Sequence, residues 1–183
     1  MKTDQLTTYA ILLRGVNVGG VTVKMEALRG TLSRLPVRGV RTVLASGNAV
    51  VASALSAAEL KAAAEGALRE DFGYEAWVVV VSLDRLRELA AAVPYPADDP
   101  TTHAYVTFGS DTGILSELFD AAAEAGAEQI RIGPEATAWP CPKGATLDSP
   151  LAQISSKPRY KSNTTTRNLR TLHKIISSAE QAA

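Results

Sequence analysis

Residues 40–60 read VRTVLASGNAVVASALSAAEL, and this stretch decides the fold. Val40 to Ala45 and Ala49 to Ala52 are apolar, β-branched runs on either side of Ser46-Gly47-Asn48. Glycine and asparagine accept positive φ, so the pattern predicts two antiparallel strands joined by a tight hairpin. Ser56 with Glu59 three residues on forms a capping box, and Leu55 and Leu60 are placed to staple it. The helix that starts there is expected to run through Leu68 to about Phe72, with Gly73 at the left-handed C′ position.

Upstream, Tyr9 to Arg14 is a short apolar run ended by Gly15, which reads as a buried strand. Met25, Leu28, Leu32 and Leu35 recur at helical spacing, and Pro36 marks the stop. Downstream, Glu75 to Val81 is an unbroken apolar strand. The order βαββαβ over residues 8–81 predicts an α+β fold, a ferredoxin-like plait with two helices on one face of a four-stranded antiparallel sheet. Its fourth strand would lie at a sheet edge. Trp77 to Val81 is too apolar for an open edge, so the second half of the chain is expected to cover it.

Ser82 caps a helix with Leu83, Leu86 and Leu89 on one face, and Val93-Pro94-Tyr95-Pro96 reads as a rigid linker. His103 to Gly109 is expected as a strand, Ile114 to Ala125 as a helix closed by Gly126, and Gln129 to Ile132 and Thr137 to Trp139 as further strands. Pro140 to Asn163 shows no periodicity and reads as a long loop, and Thr166 to Ser177 as the last helix. The expected division is a plait over residues 1–81 and a second, smaller α+β unit over residues 82–183, packed against it and ending in a basic amphipathic helix.

The composition, 46% hydrophobic and 21% charged over 183 residues, is that of a globular protein and excludes disorder, collagen and coiled coil. The single cysteine, Cys141, excludes an internal disulfide and a cysteine-built metal site and suits a reducing compartment. Tyr9 to Leu13 is too brief for a signal-peptide core or a membrane span, so a cytoplasmic protein with no membrane association is expected. His103 and His173 have no ligand-spaced partners. No metal, cofactor or catalytic residue is assigned.

The net charge of zero hides an arrangement: residues 1–48 carry +5, residues 49–148 carry −10 and residues 149–183 carry +5. Two basic ends brought together would attract an anion. The first end holds a glycine-rich connection, Arg14-Gly15-Val16-Asn17-Val18-Gly19-Gly20-Val21-Thr22-Val23-Lys24, of the kind that aims backbone N–H groups at an anion near a helix start. It is neither a Walker loop nor the Rossmann spacing. Lys24 is expected at the start of the first helix and Arg167 in the first turn of the last, where the helix field disfavours cations. A site built around an external anion would place them so.

Three stretches together, AILLRGVNVGG (residues 10–20) followed by Lys24-Met25 and Leu28, LASGNAVV (residues 44–51) and TTTRNLRTLHKI (residues 164–175), resemble the bacterial family known as domain of unknown function 1697. The resemblance extends across nearly the whole chain. It implies a ferredoxin-like N-terminal half and an activity not yet characterised. The residues that carry it by position, without roles assigned by the resemblance, are Arg14, Gly15, Asn17, Gly19, Gly20, Lys24, Ser46, Gly47, Asn48, Thr166, Arg167, Asn168 and Thr171, and these are the candidate ligand-binding residues. Where the family usually has tryptophan after Arg-Asn, this chain has Leu169.

The expected function is binding of a phosphate-bearing or other anionic ligand between the loop after the first strand and the N-terminus of the last helix. Its source would be a small molecule or a nucleic-acid backbone. The first alternative is an acyl-phosphate or phosphoester hydrolase in the manner of acylphosphatases, with Arg14 holding the phosphate and Asn48 positioning water. The second is protein interaction or self-association through the apolar Trp77 to Val81 edge. Aromatic-free Ala49 to Ala52 argues against sequence-specific RNA reading. Oligomeric state is left open by the sequence.

Overall fold

The computed structural model describes residues 5–14 and 22–181. The first sheet is organised by β1 (Thr7–Arg14), which lies between β3 (Asn48–Ser53) and β4 (Trp77–Ser82), with β2 (Val37–Val43) beyond β3. All neighbours are antiparallel. A strand buried on both faces must be apolar at consecutive positions, and Ala10 through Leu13 are all buried. Helices α1 (Met25–Ser33) and α2 (Ala57–Phe72) cover one face. There Tyr9, Ile11, Leu13, Ala49, Val51 and Val78 pack under Leu28, Leu32, Leu60, Ala64 and Leu68. On the other face Ala10, Leu12, Val50, Val79 and Val81 are buried as well.

Local chemistry sets the ends of these elements. Ser56 and Glu59 form the expected reciprocal capping box at the start of α2, and Gly73 ends it at φ 65°. The hairpin is shifted from its expected place. β2 begins at Val37 and ends at Val43, because a bulge between Arg38 and Arg41, with Gly39 at φ 61°, absorbs the break in the apolar pattern. The turn therefore spans residues 44–47, and Asn48 is the first residue of β3. At the β4 edge, the Glu65 carboxylate from α2 accepts the Val78 backbone N–H at 3.0 Å, so one amide of that edge strand is already engaged.

The second sheet repeats this connectivity. β5 (Thr102–Gly109) lies between β7 (Ala136–Pro142) and β8 (Thr164–Asn168), with β6 (Ile130–Gly133) beyond β7. Helices α4 (Thr112–Glu124) and α5 (Pro150–Ser155) share a core with it, in which Leu115, Leu118 and Leu151 meet Trp139 and Cys141. The first sheet closes its hairpin against the centre through Leu13 N–H to Gly47 O at 2.8 Å, and the second does so through Gly109 N–H to Glu135 O at 2.8 Å. The protein is thus mixed α+β, with two four-stranded antiparallel sheets and, among the described residues, seven α-helices.

Two expectations are corrected in this half. Residues 140–163 are not a loop: β7 runs to Pro142, a 3₁₀ turn spans Thr146–Asp148, and α5 and α6 (Pro158–Lys161) follow. Helices of four to six residues are too short to show a repeat. Their signals are local ones, a proline at the first helical position of each and Ser149 capping α5. Thr166 to Asn168 are not helical either. They belong to β8, as consecutive β-branched threonines favour, and α7 (Leu169–Glu180) starts where the apolar pattern Leu169, Leu172, Ile175 begins.

The chain forms two compact units, one of Met1–Leu86 with Lys174–Ala183 and the other of Arg87–His173. The boundaries fall within α3 (Leu83–Ala91) and α7. In the first unit Arg41 of β2 donates to the Ser178 carbonyl of α7 at 3.3 Å.

Helices α1 and α2 are tied by Asp71, which accepts from buried Thr31 Oγ1 on one oxygen and from Arg34 Nη2, at 2.7 Å, on the other. These hydrogen bonds hold the Asp71 carboxyl below its ordinary pKa. A carboxyl depressed in the folded state stabilises fully above its unfolded pKa, about 3.9, and loses that contribution as pH falls through the folded value. Urea midpoints measured from about pH 5 downward should therefore fall more steeply for the wild type than for Asp71→Asn, whose midpoint at neutral pH should already be lower.

Candidate functional site

Strand register gathers several of the expected residues at one end of the first sheet. Arg14 pairs with Trp77, and Leu12 and Val43 both pair with Asn48. The end of β1, the β2–β3 hairpin and the start of β4 therefore lie side by side. Gly15, Asn17, Gly19 and Gly20 lie outside the described residues. After them, Lys24 is the exposed N-cap residue of α1, in extended conformation, and its side chain makes no capping hydrogen bond.

Within this end the roles differ. Asn48 is fully buried, and its Nδ2 donates at 2.8 Å both to Val43 O and to Ser46 Oγ. Ser46, Gly47 and Asn48 thus hold the hairpin shut, and the Gly47 carbonyl fixes it to the Leu13 amide one residue before Arg14. Arg14 is half-buried. Burial lowers its guanidinium pKa from the ordinary value, the effect expected when a cation loses water. Beside the start of β4, Arg69, Gly73, Tyr74 and Glu75 line a hollow of about 330 Å³. The Tyr74 hydroxyl is buried with no hydrogen-bond partner among the described residues, and burial raises the phenol pKa.

The corresponding junction of the second unit is built differently. Between β5 and α4 stand only Ser110 and Asp111. The Asp111 carboxylate accepts from the N–H groups of Gly113 and Ile114 at 2.8 and 3.0 Å, so this helix start carries its own anion. In the first unit the junction is the longer stretch 15–24, and a lysine stands where the second unit has an aspartate.

The remaining expected residues lie in the second unit, on β8 and α7. Thr166 shares a hydrogen bond with Thr107 at 2.8 Å, and Thr107 also accepts from Trp139 Nε1 at 3.0 Å. Asn168 Nδ2 lies 3.2 Å from His103 Nδ1, while its Oδ1 accepts the Arg170 N–H at 2.9 Å. Arg167 points to the opposite face of the sheet, paired with Val106, and is 8% exposed. Its Nη1 donates to Thr165 Oγ1 at 2.7 Å and to Thr166 O at 2.9 Å. The expectation that Arg167 opposes a helix field is thus wrong, because Arg167 stands on a strand. The cation in the first turn of α7 is Arg170, which donates to Ala97 O at 2.8 Å and lies 3.6 Å from Asp98. Thr171, in the same turn, is half-buried.

Missed at the sequence level were Trp77 as the neighbour of Arg14, which only strand pairing reveals, and Leu44, the one described non-glycine residue with positive φ. Among the described residues no group of three or more His, Cys, Asp or Glu could hold a metal ion, and no helix is long and apolar enough to cross a membrane.

These features define an α+β protein of two units, each on an antiparallel four-stranded sheet. The family model described as Protein of unknown function (DUF1697) matches residues 6–137, and the chain belongs to that family. It is similar in structure to the conserved bacterial protein SP0830 from Streptococcus pneumoniae, with a TM-score of 0.74 and 23% identity over 94% of this chain and 98% of that one. At that identity the likeness shows the fold alone. No curated protein matches the chain.

Replacing Asn48 by alanine leaves the Val43 carbonyl without its buried donor, which should cost about 1–3 kcal/mol in urea unfolding. Hydrogen exchange at the Leu13 amide should speed up in the same variant, since its acceptor Gly47 sits in the loosened turn.

Proposed function

We propose that this protein binds a phosphate-bearing small molecule at the end of its first sheet, with Arg14 and Lys24 as the cations that neutralise it. Arg14 carries the reading. A guanidinium held half-buried at a strand end has lost part of its hydration, and such cations concentrate at sites where the charge is used. Two features support it. The connection between Arg14 and Thr22 is glycine-rich, suited to presenting backbone N–H groups to an anion. The equivalent helix start in the second unit is occupied by the Asp111 carboxylate, whereas α1 begins with Lys24.

A small molecule is favoured over a nucleic-acid backbone because the proposed site uses two cations, Arg14 and Lys24, and duplex binding engages many phosphates at once. A cytoplasmic setting fits the lone, buried Cys141. We further infer that each unit is a ferredoxin-like plait, a reading supported by the strand orders β2-β3-β1-β4 and β6-β7-β5-β8. Hydrolysis in the acylphosphatase manner is not favoured, because the amide that would position water holds the hairpin instead. Nor is self-association through β4, where Glu65 already takes the Val78 amide.

Titration calorimetry with inorganic phosphate tests the proposal. Arg14→Met should weaken binding about tenfold or more, as loss of a charge-assisted contact does, in a variant whose circular dichroism matches that of the wild type. Absence of binding by the wild type, or equal binding by both proteins, overturns it.

A further inference from the structure

We infer that the ligand carries an apolar group beside its phosphate and that Leu44 is the residue that contacts it; this rests on the anion-binding reading above. Leu44 combines two features that are seldom found together. Its backbone is left-handed, φ 59°, a conformation that leucine rarely adopts and that glycine, asparagine or aspartate would occupy with little strain. The residue is also 44% exposed, so burial in the protein's own core does not account for its retention there.

A single exposed leucine needs no explanation, and a strained residue can serve a turn. Here both fall on one residue, and its position gives them meaning. Leu44 follows the Val43–Asn48 pair and opens the turn whose Gly47 carbonyl is fixed to the Leu13 amide, next to Arg14. The other left-handed position of this turn is a glycine, Gly47 at φ 81°. Strained backbone tends to persist where a site uses the side chain it displays. Inorganic phosphate would gain nothing from Leu44, whereas an aryl or nucleoside phosphate held at Arg14 would bury its ring against it.

Calorimetry with phenyl phosphate and inorganic phosphate, on the wild type and on Leu44→Gly and Leu44→Asn, decides the matter. The wild type should prefer phenyl phosphate by about tenfold, and in both variants the ratio of the two constants should fall to within about twofold. Both variants should melt higher than the wild type, because each residue tolerates the left-handed turn, and this also shows that they fold. Equal binding of the two probes by the wild type, or an undiminished preference in both variants, overturns the inference while leaving the anion site standing. If the wild type binds neither probe, the anion-site reading fails and this inference with it.

Discussion

Burial of β1 on both faces is the constraint from which the first unit follows. Ala10, Ile11, Leu12 and Leu13 are buried on both faces of the sheet, so a polar side chain along this run would lose its water without compensation. Chemistry can then enter this strand only at its ends, and Arg14 is the first charged residue after the apolar run. The same constraint explains the hairpin. Asn48 lies opposite Leu12 in fully buried surroundings, so its amide must be satisfied internally, and Val43 and Ser46 do this.

Two sheets of identical strand order allow one unit to be read against the other. The central strand, the hairpin and the backbone bond between them recur, while the junction from strand to helix does not. In the second unit that junction is two residues long and ends in a capping carboxylate. In the first it is long, glycine-rich and bounded by Arg14 and Lys24. A difference confined to one connection between otherwise matching scaffolds is where function is expected, since loops vary at low cost to the core.

Much of this fold was legible because its signals are local. Apolar runs, the Ser56–Glu59 box, Gly73 and Gly126 depend on neighbours a few residues away, and they mark α2, α4 and strands β1 to β7 to within a few residues. Errors arose where local signals were short or ambiguous. Consecutive threonines at 164–166 precede a strong amphipathic pattern, and the helix was extended back over a strand whose partner, β5, is distant in sequence. Arg167 therefore stands on β8, outside the field of α7's first turn. Helices α5 and α6 escaped notice because one turn or so of helix has no period to detect.

The candidate site divides in the same way. The sequence by itself determined which residues could serve an anion, a basic strand end and a glycine-rich connection, because charge and conformational freedom belong to residue types. Tertiary structure alone decided which of them stand together and what each does. Pairing across the sheet set Trp77 and the hairpin beside Arg14, turned buried Asn48 and half-buried Thr166 into hydrogen-bonding posts, and put Arg167 on a strand face. The physical reason is range: burial and cross-strand contact join residues tens of positions apart, and no property of either residue alone records the partner.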